Sequence, residues 1–215
     1  MTQEQLLIAS VFVAYFVLHS LTASLWLKQR VARCCPALLP YYRLSYNLLA
    51  VVLALPLLYL AWRYPGEPLW QWRGIGAYLA NGIALIAAIT LLYSLRLYDM
   101  GEFLGLRQAR GKVHEIRDME HFQISPFHRY VRHPWYFLIL VIIWSRDIAT
   151  NQLLIYTLVT LYLVIGSRLE ERKLIAYHGE VYQAYRRRVA GLIPLPWKIL
   201  SKAQAEALLA RYHRR

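Results

Sequence analysis

The chain has 215 residues, 58% of them hydrophobic, and carries a formal net charge of +13. Its apolar residues are gathered into long runs rather than spread at the spacing of a soluble core, which is membrane composition. The basic residues lie beside those runs without the interleaved base-stacking aromatics of a nucleic-acid surface, so nucleic acid is excluded as a partner despite the charge.

About 20 apolar residues bridge the hydrocarbon core, so residues 5–27, 44–62 and 75–95 each read as a complete transmembrane helix. The first run is too long and too weakly basic at its start for a cleaved signal, and is expected to stay as a span. Cys34 and Cys35 follow it in a basic loop. Adjacent cysteines are poorly placed for an ordinary structural bridge, and an unmodified interfacial pair is preferred to a palmitoylation site. His19, Ser20, Arg43 and Asn47 are polar residues in or beside the first two spans. They read equally as a hydrogen-bonded contact between those spans or as the wall of a substrate site.

The loop between the second and third spans is short and rich in Pro, Gly and Trp. The next, from Tyr98 to Arg132, is nearly three times as long and holds Asp99, Glu102, Gln108, His114, Glu115, His121 and His128, which marks it as functional rather than connecting. Apolar sequence resumes at Trp135, is interrupted by Arg146 and Asp147, and continues from Leu153 to Gly166. One helix through both charges would cost about 2.5 to 3.5 kcal/mol for each at mid-membrane, so two short helices joined by a turn are expected. Beyond them Glu170, Leu174, Tyr177 and Val181 share a helix face, and Gly179 is placed to kink that helix. A last segment sets Ile199, Leu200, Ala203, Ala207, Leu208 and Tyr212 among basic residues, a pattern that lies along a membrane surface.

With the N-terminus outside, 22 of the Lys and Arg residues fall on the cytoplasmic side, and only Arg63, Arg73 and Arg146 fall outside. The expected fold is therefore an all-α integral membrane protein of about five transmembrane helices, with a cytoplasmic C-terminal helical segment in a bacterial-type inner membrane.

Three polar clusters are expected to converge at the cytoplasmic side: residues 102–108, 129–136 and 168–185. Pro134 suits the first turn of the fourth span, and free N–H groups there can hold an anion. Glu170 and Glu171 point about 100° apart around their helix. On residue chemistry alone, ion pairs between them and Arg168, Arg172 or Lys173 are the simpler account, and Arg132 and His133 read as a positive anchor at a helix end.

The run SPFHRYVRHPWYFL, together with EERKLIAYHGEVYQAYRRRVAGLIP beginning 37 positions after its His133, resembles the C-terminal signature of the isoprenylcysteine carboxyl methyltransferase superfamily. Upstream, His19–Ser20, RLSYN from Arg43 and EFLGLRQ from Glu102 look like the branch that includes NnrU proteins and methanethiol S-methyltransferases. The resemblance implies a membrane enzyme that takes a methyl group from S-adenosylmethionine, with the pocket built by the last two spans and the cytoplasmic segments around them. It implies one membrane domain over 1–215: a three-span bundle (1–97), a cytoplasmic loop (98–133), a cofactor-binding hairpin and cytoplasmic helix (134–196) and an amphipathic basic tail (197–215). Carried over by position, it gives Gln108, His133, Tyr136, Tyr182 and Tyr185 to the cofactor, and Arg132 with Glu170 or Glu171 to catalysis. No metal is implied. Two positions depart from the pattern: Phe137 stands where a Gly is common, and Ser125-Pro126-Phe127 replaces Gly-Pro-Tyr. Both bear on substrate shape rather than fold.

The expected acceptor is small or lipophilic and reaches the site from membrane lipid; a thiol is favoured, with a carboxylate or lipid amine possible. The alternative is a non-enzymatic NnrU-like accessory protein of nitrogen-oxide metabolism. A haem or metal protein using His19, His114, His121, His128 and His133 lacks a compact ligand motif. A transporter would want inverted repeats or broken central helices.

Overall fold

The computed structural model of the chain describes residues 1–111 and 122–213; His114, Glu115 and His121, which the sequence reading gave to the long loop, lie outside the described residues. In chain order the elements are α1 (Gln3–Ala23), α2 (Leu25–Cys34), α3 (Tyr42–Arg63), β1 (Pro68–Trp70), α4 (Ile75–Ser94), α5 (Met100–Phe103), α6 (Leu106–Ala109), α7 (Pro134–Trp144), β2 (Ile148–Ala149), α8 (Thr150–Arg188) and α9 (Lys202–His213). They form two compact units, one of Met1–Arg73, residues 93–111 and Asp147–Val159, the other of Gly74–Leu92, residues 122–146 and residues 160–213.

Four helices among the described residues are long and apolar enough to cross a membrane: Gln3–Ala23, Pro36–Arg63, Ile75–Leu97 and Thr150–Arg188. Leu48, Val51, Leu58, Leu79, Ile86 and Leu92 are exposed along α3 and α4, where a soluble protein would carry polar groups. The protein is an all-α membrane protein. The fourth expected span corresponds to α7, which has 11 residues and is about 16 Å long against the ~30 Å of hydrocarbon.

In the first unit α1 opens on a capping box, in which Thr2 Oγ1 accepts from Gln5 N and Gln5 Oε1 from Thr2 N. The sequence reading carries this span to residue 27, but the helix stops at Ser24. The extended backbone of Ser24 ends α1, and its hydroxyl, accepting from Leu27 N at 3.3 Å, starts α2. Ile8 and Phe12 pack with Leu57, Leu60 and Ile155 to form the apolar core of the unit. At the other end of the α1–α3 seam, Tyr46 Oη lies 2.9 Å from His19 Nε2, and Tyr42 Oη donates to Thr22 O at 2.6 Å. Arg43 Nε and Asn47 Nδ2 both donate to Phe103 O, at 3.1 and 3.0 Å, and so strap the segment 99–110 onto α3. Gly105 lies against the same turn, where a Cβ would come within 2.6 Å of Leu44 N. Of the two readings of these polar residues, His19 thus bonds between helices, while Arg43 and Asn47 hold a loop.

The interruption at Arg146 and Asp147 is a turn. Within the first unit Asp147 Oδ1 accepts from Trp72 N at 3.0 Å, Thr150 N donates to Glu67 O at 2.9 Å, and β1 pairs antiparallel with β2. Within the second unit the Arg146 guanidinium donates to Asn81 Oδ1 at 2.6 Å and Ala80 O at 3.0 Å.

The second unit has its own core of Phe122, Val181, Tyr182, Tyr185, Val189, Leu200 and Leu208. This changes the reading of the tail: Leu200 and Leu208, offered by the sequence to a membrane surface, are buried in protein, while Ile199, Ala203 and Ala207 stay exposed; the side chain of Tyr212, the last of that set, lies outside the described residues. Gly179, with φ 56° and ψ −132°, breaks the helical course of α8 as expected.

Candidate active site

Pro134 starts α7 and keeps His133 out of the helical region, at φ −121° and ψ 71°, which turns the Arg132–His133 pair out of the helix. A second segment fixes that pair from the side. Arg132 N donates to Ala190 O at 2.8 Å and His133 N to Gly191 O at 3.1 Å, extending the parallel bridge between Val131 and Ala190. Residues 131–133 and 190–191, more than fifty positions apart in the chain, are therefore one backbone unit.

Glu171 is the hub of the side chains. Its Oε1 accepts from Arg132 Nε at 2.8 Å and Nη2 at 2.6 Å, and lies 3.2 Å from His133 Nε2. Its Oε2 lies 3.1 Å from Arg186 Nε. Arg132 Nη1 donates to the carbonyls of Arg186 and Val189, so this guanidinium is committed throughout. Arg132 and Glu171 are almost wholly shielded, with side-chain exposures of 10% and 8%.

Glu170 differs. Its side chain is 47% exposed, and Oε2 takes both of its bonds among the described residues, lying 3.3 Å from His133 Nδ1 and accepting from Tyr136 Oη at 3.2 Å. The Tyr136 ring stacks on His133 with centroids 5.3 Å apart and 9° between planes. Burial opposes a charge on His133, but its bonds to Glu170 and then Glu171 outweigh burial and raise its pKa. The opposite holds for His128, whose Nδ1 lies 2.8 Å from Ser125 Oγ: burial first, then the charge of His133, lower it to about 4.

Of the residues singled out in the sequence, Arg132, His133, Tyr136, Glu170 and Glu171 meet at one place. Tyr182 and Tyr185 are buried beside it in the core formed with Phe122, and Tyr185 Oη donates to His128 O at 2.7 Å. Gln108 belongs to the first unit, where its Nε2 donates to Glu102 O at 3.2 Å and its Oε1 is buried without a partner among the described residues. The sequence reading missed Arg186, which it counted only among the 22 basic residues placed on the cytoplasmic side. Along a straight helix Arg186 would lie about 22 Å from Glu171, and only the break at Gly179 brings them together.

Curated relatives cover most of the chain. It is 34% identical over 197 residues to methanethiol S-methyltransferase 2 of Bradyrhizobium diazoefficiens, covering 89% of this chain and 74% of the relative. It is 33% identical to the methanethiol S-methyltransferase of Mycobacterium tuberculosis, covering 85% and 75%, and 32% identical to that of Crocosphaera subtropica, covering 82% and 69%. The chain belongs to the methanethiol S-methyltransferase family. It is a membrane methyltransferase and uses a methyl donor; the non-enzymatic accessory reading is not favoured. No family model and no solved structure matches it. Within this methyltransferase family fold, the buried Glu171 hub and the open Glu170 face are the features to which a reaction must be fitted.

Proposed function

We propose that the chain transfers a methyl group from S-adenosylmethionine to a small hydrophobic thiol at the cytoplasmic side of the membrane, with its N-terminus outside. The observation that carries this reading is the convergence of Arg132, His133, Tyr136, Glu170 and Glu171 at the start of α7. The donor set fits S-adenosylmethionine. Glu170 Oε1 makes no bond among the described residues and suits a cation, Arg186 is half exposed and suits a carboxylate, and the Tyr136 ring supplies an aromatic wall. When bound, S-adenosylmethionine supplies an electrophilic methyl on a sulfonium that departs as a neutral thioether.

The chain's own residues then have distinct duties. With His133 Nδ1 and Nε2 each facing a carboxylate oxygen, an imidazolium satisfies both; with it, Arg132 and Arg186 set against Glu170 and Glu171 leave one net positive charge, which favours thiolate over thiol. The thiol proton passes to Glu170 Oε1 and on to water, with His133 and Tyr136 fixing the carboxylate. Arg132 is a positioning residue, because its hydrogen bonds among the described residues go to Glu171 and main-chain carbonyls; that leaves it unfit to clamp a carboxylate acceptor and favours a thiol. Tyr182 and Tyr185 support the site from the core. Holding the reactants in register supplies about 7 to 11 kcal/mol of the barrier reduction.

The test is transfer from methyl-labelled S-adenosylmethionine, by purified protein in nanodiscs, to a panel of methanethiol, longer thiols, a prenylated-cysteine carboxylate and phosphatidylethanolamine. Label in dimethyl sulfide or another methyl thioether supports the reading. Label only in ester or amine, or calorimetry in which parent protein does not bind S-adenosylmethionine, defeats it.

A further inference from the structure

Between the core residues Val189 and Leu200 the chain runs from Gly191 to Ile199 without helix or strand, and both ends of this loop are fastened. At one end Ala190 O and Gly191 O accept from Arg132 N and His133 N; at the other, Leu200 N donates to Arg129 O and Leu200 O accepts from Arg129 Nε. Pro194 and Pro196 stiffen the course between, and Lys198 N closes a turn on Leu195 O at 2.9 Å. A loop held this firmly nonetheless presents large apolar side chains outward: Ile193 is 66% exposed, Trp197 76% and Ile199 42%.

The depth of the loop is set by the backbone. Gly191 is bonded to His133, the residue directly ahead of the apolar helix α7, so the loop leaves the fold at the level where apolar sequence begins. The stretch of chain around it is basic, and Lys202 Nζ also lies 4.0 Å from Glu206 Oε1. From Val181 to Ala205 there are five Lys and Arg residues (Arg186, Arg187, Arg188, Lys198 and Lys202) and no Asp or Glu. Tryptophan beside lysine at the edge of an apolar helix is the chemistry of the headgroup layer, where the ring takes the interface and the cation takes phosphate.

We propose that the 191–199 loop inserts Trp197, flanked by Ile193 and Ile199, into the headgroup layer of the surrounding bilayer, with Arg187, Lys198 and Lys202 on anionic lipid phosphates. The proposal is independent of which acceptor the enzyme methylates. Because the loop begins at Gly191, whose carbonyl holds His133 N, and follows directly on Ala190, whose carbonyl holds Arg132 N, the lipid surface becomes part of what supports the site.

The experiment isolates the fluorescence of Trp197 as the difference between the parent and Trp197→Phe, full-length in nanodiscs of phosphatidylcholine and phosphatidylglycerol. Bromines are carried either on shallow acyl carbons or on none. Loss of most of the Trp197 emission in the shallow-brominated discs, with protection from aqueous iodide, is the expected result, and the loss weakens when phosphatidylglycerol is omitted. Unquenched emission that iodide reaches overturns the proposal, as does emission reached by neither quencher, which would place protein over the loop. Equal quenching with and without phosphatidylglycerol overturns the role of the basic residues. Trp197→Phe keeps an aromatic at an exposed position, and unchanged thermal unfolding confirms that the pair differs only in the reporter.

Discussion

Glu170 and Glu171 are consecutive and chemically alike, yet one turns into protein and the other toward water. Glu171 neutralises Arg132 in a shielded place, so Glu171→Gln strands a buried guanidinium and is expected to cost about 3 to 5 kcal/mol, read as a fall in unfolding temperature in nanodiscs. Glu170→Gln is expected to change stability by less than about 1 kcal/mol, since the side chain is half exposed, while methyl transfer falls by about 100-fold or more. Equal effects on stability would remove the division of labour. The two histidines set a pH window with opposite signs. His133 has a raised folded pKa, so its contribution is fully present below its ordinary value of 6.5 and is lost as pH rises through the folded value. His128 is lowered to about 4, so the folded state resists its protonation and stability falls as pH drops from 6.5 toward 4. Thermal unfolding across pH is expected to show a maximum near neutrality, and His128→Gln is expected to flatten its acid side alone.

At the scale of elements, Gly179 decides whether the site closes. Its φ and ψ are open to glycine and strained for any side chain, although a Cβ there would meet no atom within 4 Å. Gly179→Ala is therefore expected to cost about 1 to 3 kcal/mol of backbone strain, or to let α8 straighten and withdraw Arg186 from Glu171. A double-mutant cycle separates these outcomes: coupling between Arg186→Ala and Glu171→Gln persists in the first case and vanishes on the alanine background in the second. The same glycine marks the limit of what sequence could reveal. Apolar runs located α1, α3, α4 and the α7–α8 turn because burying charge in lipid is costly. The glutamate pair and the Arg132–His133 pair were legible as partners through their motif. Arg186 was not, because helical periodicity loses its meaning across a residue with non-helical backbone. Nor was the break at Ser24, where a single hydroxyl competes with a long apolar run, or the strap on Phe103 O, whose two donors lie some sixty residues from their acceptor.

For the whole molecule, the course of the chain through the bilayer turns at α7. Eleven residues are too few to cross the hydrocarbon as helix alone, so helix length does not decide whether the turn at Arg146 and Asp147 emerges on the far side. Strand pairing gives an independent handle. β1 lies in the loop between α3 and α4, β2 follows α7, and the two are hydrogen-bonded, with Asp147 on Trp72 N and Thr150 on Glu67 O beside them. Two segments joined by backbone bonds share one side of a membrane. With 22 basic residues assigned to the cytoplasm, that shared side is expected to be outside, and the C-terminus inside. Single cysteines at Gly66 and Ser145, in a background with Cys34 and Cys35 replaced by serine, are expected to react with an impermeant maleimide in intact cells. A cysteine placed after Arg215 is expected to react only once the cells are opened. Protection of Ser145→Cys with labelling of Gly66→Cys would mean that α7 is a re-entrant helix; since Gly66 has a positive φ and crowds Thr150, Glu67→Cys provides the same reading without backbone strain.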